Sequence, residues 1–109
     1  MDAKRSVAAL GALAQESRLE VFRLLVRRGP AGLPAGEISR RIGVPPTTLS
    51  FHLAQLSHAG LVTSRRNGRS ILYAANYPGM QDLMGFLLEN CCQEGAGCAP
   101  PEAGRRRRR

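Results

Sequence analysis

A chain of 109 residues with 43% apolar content is expected to hold one domain with a small core, and no run approaches the roughly 20 apolar residues a membrane span needs. Aromatics make up 5% and Trp is absent, so that core is expected to consist of Leu, Val, Ile and Ala, which suits helices. The formal charge of +8 includes five from Arg105 to Arg109, leaving 11 basic and 8 acidic residues over 1–104, a balance pointing to a polyanionic partner, nucleic acid first.

Residues 4–14 place Val7, Leu10, Leu13 and Ala14 at helical spacing. Glu16 and Arg18 follow this stretch at once, so it is expected to be a helix and not a signal peptide, in a cytoplasmic protein whose thiols stay reduced. A stronger helix begins at Ser17, with Leu19, Val21, Phe22, Leu24, Leu25 and Val26 on one broad face, and Gly29-Pro30 ends it. After PAGLP comes a short helix over Ala35 to Ile42, stopped by Gly43. Pro45-Pro46 opens the next, which runs to about Ala59 and buries Leu49, Leu53 and Leu56. Two short helices joined at Gly43-Val44 make the tight connection of a helix-turn-helix.

The period then changes to two. LVTSRR and SILYAA flank Asn67-Gly68, a strong hairpin signal. Pro78 opens a last helix with Met80, Leu83, Met84, Leu87 and Leu88 as its stripe, expected to reach Cys91 or Cys92. The predicted order is α-α-α-α-β-β-α: a mainly helical fold with a β-hairpin, residues 1–92 forming the domain and 93–109 a flexible tail.

A helix that enters a major groove needs short polar side chains on its outer face and apolar ones on the other. Thr47, Thr48, Ser50, Phe51, His52 and Gln55 are expected to project outward: Gln55 toward an adenine edge, Thr47 and Thr48 toward bases or phosphates, with a thymine methyl meeting apolar groups. Arg40 and Arg41 on the preceding helix would face the DNA backbone, and Arg65, Arg66, Asn67 and Arg69 would gather three guanidiniums at the hairpin tip. The same patterns would also serve a merely solvated amphipathic helix and a merely charged hairpin.

With ESRLEVFRLL, the block LSFHLAQLSHAGLV and the hairpin RRNGRSILYA in view, residues 5–92 resemble the arsenical-resistance (ArsR/SmtB) family of winged helix-turn-helix repressors. The core Ser50-Phe51-His52-Leu53, followed by Leu56, Gly60, Leu61 and Val62, is the most specific part. The resemblance implies a homodimer built from the first and last helices, with Leu10, Leu13, Leu83, Phe86 and Leu87 as interface candidates, although an ordinary monomer core would use the same residues. It also implies a fourth helix that reads double-stranded operator DNA of pseudo-palindromic sequence.

Three cysteines lie within eight residues, Cys91, Cys92 and Cys98, with Gly95 and Gly97 between them giving the backbone freedom to converge. Three thiolates without a fourth ligand suit a pyramidal soft ion, As(III) or Sb(III), better than tetrahedral zinc, while buried cysteine also serves simply as a small hydrophobe. The resemblance implies that the third-helix cysteine pair of many arsenic-sensing members is missing here, since the matching stretch reads AGEISRRI. The last helix likewise lacks the His of zinc-sensing members, whereas C-terminal cysteines match a further arsenic-sensing group.

The expected function is a metalloid-released repressor with no organic cofactor and no membrane partner. The alternatives are a response of the same thiols to oxidants, organoarsenicals or another soft metal. An enzyme is not expected, because there is no phosphate-cradling glycine loop, no Cys-x-x-Cys and no carboxylate pair. Arg105 to Arg109 fit either non-specific DNA affinity or a solvated tail.

Overall fold

The computed structural model describes residues 1–95. Its elements are α1 (Ala3–Leu13), α2 (Glu16–Arg28), β1 (Leu33–Pro34), α3 (Ala35–Ile42), α4 (Pro46–His58), β2 (Val62–Asn67), β3 (Ser70–Ala75) and α5 (Tyr77–Leu88). The expected α-α-α-α-β-β-α order holds, with one short strand added between α2 and α3. That strand is too short to show a period of two in sequence. It pairs antiparallel with β3, Leu33 opposite Tyr73 and Pro34 opposite Leu72, so the sheet runs β1-β3-β2. Pro34 is tolerated because it lies on an edge strand.

The helix starts follow from side-chain caps. Asp2 accepts a hydrogen bond from the Arg5 N–H at 2.8 Å, and Gln15 accepts one from Arg18 N–H at 2.8 Å, which starts α2 at Glu16, one residue before Ser17. Pro46 sits in the first turn of α4, where its missing N–H costs nothing. Between α3 and α4, Gly43 takes a left-handed conformation (φ +83°) and the Ser39 hydroxyl donates to the Val44 carbonyl at 2.5 Å. Those two features set the sharp angle between the helices.

Leu25, Ile38, Leu49, Leu56, Leu61 and Val21 are the largest fully buried side chains, contributed by α2, α3, α4 and the segment before β2. The core is aliphatic as expected, with Phe22 its one buried aromatic ring among the described residues.

The hairpin turn is shifted by one residue from its predicted place. Asn67 closes the ladder opposite Ser70, and Gly68 and Arg69 form the two-residue loop. Positive φ falls at Gly68 (+64°) and not at Arg69, the pattern of a type II′ turn with glycine first. Arg69 therefore stands at the apex.

The last helix is shorter than expected. It stops at Leu88, and Cys91 and Cys92 lie in a run of turns closed by Glu89 N–H to Phe86 O (3.2 Å) and Cys91 N–H to Leu88 O (3.0 Å). Beyond Leu83 this helix buries little, so nothing in the protomer rewards further turns, and Asn90 leaves through left-handed space (φ +61°).

Its start is firmly held. The Asn76 backbone N–H donates to Leu61 O at 2.9 Å, its side-chain amide donates to Gly60 O at 2.8 Å, and its side-chain carbonyl accepts from Gly79 N–H at 3.3 Å. A Cβ at Gly79 would strike the Gly60 carbonyl oxygen and lie 2.9 Å from the Asn76 amide nitrogen. Gly79→Ala should therefore destabilise the fold by about 1–3 kcal/mol. Urea unfolding should show a lowered midpoint at unchanged m-value.

Candidate nucleic-acid interface

α4 has two faces set four residues apart. Leu49, His52, Leu53 and Leu56 are buried, whereas Thr47, Thr48, Ser50, Phe51 and Ala54 are exposed and Gln55 is half-buried at the boundary. The polar N-terminal half of the helix thus stands clear of the protein, as groove entry requires.

His52 departs from expectation. It is only 6% exposed and belongs to the inner face, so it is not presented to DNA. The reason was present in the spacing: His52 lies three residues after Leu49 and four before Leu56, on the leucine stripe. Burial, and secondarily the nearby Arg18 guanidinium, hold its imidazole below the ordinary pKa of about 6.5. Its Nδ1 has no hydrogen-bond partner among the described residues, which also favours the neutral ring.

Arg18, which sequence reasoning did not connect with this helix, reaches across from α2. Its guanidinium carbon lies 5.8 Å from the Phe51 ring centroid, a cation–π stack on the exposed side of α4. Only the tertiary structure brings the start of α2 to that point.

The basic residues of the helix-turn-helix and the hairpin differ in availability. Arg40 and Arg41 both pair with Glu37, Arg41 Nε lying 2.7 Å from its carboxylate, so these two guanidiniums share a partner that a phosphate would have to displace. The expected trio at the hairpin tip is a pair. Arg65 turns back and donates to the carbonyls of Pro30 and Ala31, each at 3.0 Å, tying β2 to the loop after α2. Strand alternation already demands that Arg65 and Arg66 point to opposite faces. Arg66 and Arg69 are exposed, and among the described residues neither makes a side-chain hydrogen bond or ion pair. Asn67 is also exposed.

Away from this surface, α1 and α5 touch and present a common apolar face. Val7, Leu10, Met84, Leu87 and Leu88 are exposed on it, Leu87 to 52%, with Phe86 and Leu13 partly covered. Leu83, expected at an interface, is 2% exposed and packs within the protomer core, because it is the α5 position that turns inward. The exposed neighbours Met84 and Leu88 join Leu87 as candidates.

Immediately after α5, Cys91 and Cys92 are both exposed and their sulfurs approach to 3.6 Å, but Cys92 is disulfide-bonded, so the expectation that the thiols stay reduced does not hold for it. Cys92 holds φ +60°, an unusual conformation for a residue with a side chain. Among the described residues no group of three His, Cys, Asp or Glu is placed to hold a metal ion. Cys98 and Arg105 to Arg109 lie outside the described residues.

Comparison with known proteins places this geometry. A family model of a helix-turn-helix domain matches residues 13–65. The transcriptional activator HlyU of Vibrio cholerae is 30% identical over 89 residues, covering 82% of this chain and 80% of that one. A putative arsenical resistance operon repressor of Halobacterium salinarum is 40% identical over 63 residues, 58% of this chain and 48% of the relative. Among solved structures, an ArsR-like transcriptional regulator from Rhodococcus sp. RHA1 superposes with a TM-score of 0.72 at 28% identity, covering 84% of this chain and 82% of the other. No helix among the described residues is long and apolar enough to cross a membrane.

Two outcomes test these assignments. Replacing Arg66 or Arg69 by Gln should reduce the slope of log K against log salt by about 0.9 for each phosphate left unneutralised, nearly 2 for a dimer with two hairpins. Arg65→Gln should leave that slope almost unchanged and lower the unfolding midpoint instead.

The buried His52 sets a pH dependence. Its folded pKa is below its unfolded one, so above about pH 7 both states are neutral, and as pH falls through 6.5 the unfolded chain takes up the proton first. Stability should fall as pH drops below about 6.5, and His52→Gln should flatten that fall in a denaturation series.

Proposed function

The chain belongs to the ArsR family of winged helix-turn-helix transcriptional regulators, and on that premise we propose that it acts as a homodimeric repressor released from operator DNA by a soft thiophilic ion. As(III), with Sb(III) as its close analogue, is held by Cys91, Cys92 and Cys98. The observation that carries the inducer assignment is the 3.6 Å approach of the Cys91 and Cys92 sulfurs at the end of α5. Bonds of about 2.3 Å to one soft centre, at angles of about 95–110°, place two sulfurs about 3.4–3.8 Å apart. The two described sulfurs meet that spacing; Cys92 is disulfide-bonded, so it becomes a donor only after reduction, and Cys98 supplies the third donor through the glycines at 95 and 97.

The DNA part of the reading is supported by the exposed threonine-rich stripe of α4 and by the exposed Arg66 and Arg69 of the hairpin, which among the described residues make no side-chain hydrogen bond or ion pair. Dimerisation is supported by the apolar α1–α5 face, since a second copy buries Val7, Leu10, Met84, Leu87 and Leu88 at once. A two-fold dimer then fixes the spacing between two reading helices and demands a pseudo-palindromic site.

The inducer supplies soft Lewis-acid binding to thiolates. This chain's residues do the rest. Once a thiol reductant has opened the Cys92 disulfide, Cys91 and Cys92 would give up their thiol protons, Cys98 would be drawn onto them, and the turns after Leu88 would be remade beside the dimer face. The two reading helices are displaced only to the extent that the ion prefers the non-binding arrangement, a coupling of about 1–3 kcal/mol in known cases.

The disulfide at Cys92 favours a second reading, in which two of these thiols pass two electrons to a peroxide and join as a disulfide. That route needs oxidant and is undone by a thiol reductant.

The experiment follows fluorescence anisotropy of a labelled duplex, selected for binding, as arsenite is added to the reduced protein. The Kd should rise by about 5–150-fold in the wild type. Cys91→Ser, Cys92→Ser and Cys98→Ser should bind DNA normally and ignore arsenite. Arsenite-indifferent wild-type binding that is lost with hydrogen peroxide and restored by dithiothreitol would instead establish the redox reading.

A further inference from the structure

We propose that Phe51 is a specificity-determining residue of the reading helix, packing against the C5-methyl group of a thymine in the major groove. The inference rests on the DNA-binding reading above and narrows it to one feature of one base. Phe51 lies four residues after Thr47 and four before Gln55, in the middle of the outward stripe of α4. It is 57% exposed, the one large apolar side chain of that helix to face outward, while Leu49, Leu53 and Leu56 all turn in.

The fold draws little benefit from such a ring. Most of its apolar area stays in water, forgoing the stabilisation that burial of a Phe brings. The ring is nevertheless placed. Arg18 covers it from α2 at 5.8 Å, and the His52 ring lies 6.2 Å away at a 58° tilt. One side is thus occupied by a guanidinium and the remainder is open. Phenylalanine has no donor or acceptor, so it cannot answer the amino, carbonyl or N7 groups that distinguish the other bases. The group in a major groove that matches it is the thymine methyl. Arg18, stacked on the ring, sets a positive charge beside this contact, where the phosphates flanking the groove run.

The test uses the full chain and duplexes selected by the wild type from a randomised pool. Each thymine is replaced in turn by uracil, which deletes only the methyl group, and Kd is measured for wild type, Phe51→Ala and Phe51→Leu. One methyl sheltered from water corresponds to about four-fold in affinity, so replacing both symmetry-related thymines should cost the wild type about fifteen-fold. Phe51→Ala should bind thymine and uracil duplexes alike. Phe51→Leu, which keeps an apolar contact, should retain part of the discrimination and covers the case of an alanine variant that folds poorly.

A selected site at which no thymine methyl is felt by the wild type overturns the inference. So does discrimination that persists undiminished in Phe51→Ala. Either result leaves the DNA-binding reading intact. A wild type that selects no sequence at all removes that reading, and the role of Phe51 falls with it.

Discussion

Everything this protein presents to DNA depends on how α4 is rotated about its own axis, and four side chains set that rotation. Leu49, His52, Leu53 and Leu56 lie on the helix face that packs against α2 and α3, among Leu25 and Ile38. Each fully buried leucine contributes about 1.5–3 kcal/mol relative to exposure. A rotation by one residue would carry these groups into water and a set of hydroxyls into the core. Thr47, Thr48, Ser50 and Phe51 face outward because the opposite face is taken. The left-handed Gly43 and the Ser39–Val44 hydrogen bond fix the remaining freedom, the angle at which α4 leaves α3.

Charge is distributed less generously than the residue count suggests. Among the basic groups of the helix-turn-helix and hairpin, Arg40 and Arg41 share Glu37, Arg65 is spent on two loop carbonyls, and Arg18 lies over an aromatic ring. These contacts are partly exposed, so each is worth little to stability by itself. Their effect is positional: they hold cations in defined places around α4 and stiffen the join between hairpin and helical bundle. Arg66 and Arg69 remain for phosphates, with Arg69 at the apex because glycine takes the first place of the turn.

Cys91 and Cys92 sit where a ligand would have mechanical consequence. They follow directly on α5, whose N-terminus is locked to the end of α4 through Asn76, Gly79 and Gly60 and whose outer surface is apolar and uncovered in one protomer. A helix rigidly joined to the reading helix at one end and adjoining the Cys91 and Cys92 sulfurs at the other is a short connection between ligand and DNA. In a dimer closed through α1 and α5, small changes at Cys91 and Cys92 would act on both reading heads together.

The sequence by itself determined the winged helix-turn-helix order, the family resemblance, the aliphatic core and the outward hydroxyls of α4. Those features are written in local periodicity, in proline and glycine punctuation and in a motif read along one helix. Even the burial of His52 was legible from its three-and-four spacing to Leu49 and Leu56, and the divergence of Arg65 from Arg66 from strand alternation. Only the tertiary structure decided which arginines are free, because Pro30, Ala31 and Phe51 are brought to Arg65 and Arg18 across more than 30 residues of chain. It likewise decided that Leu83 belongs to the protomer core and that α5 ends at Leu88. A helix continues only while neighbouring elements reward its buried face, and which elements are neighbours is a property of the packed chain, not of any segment read alone.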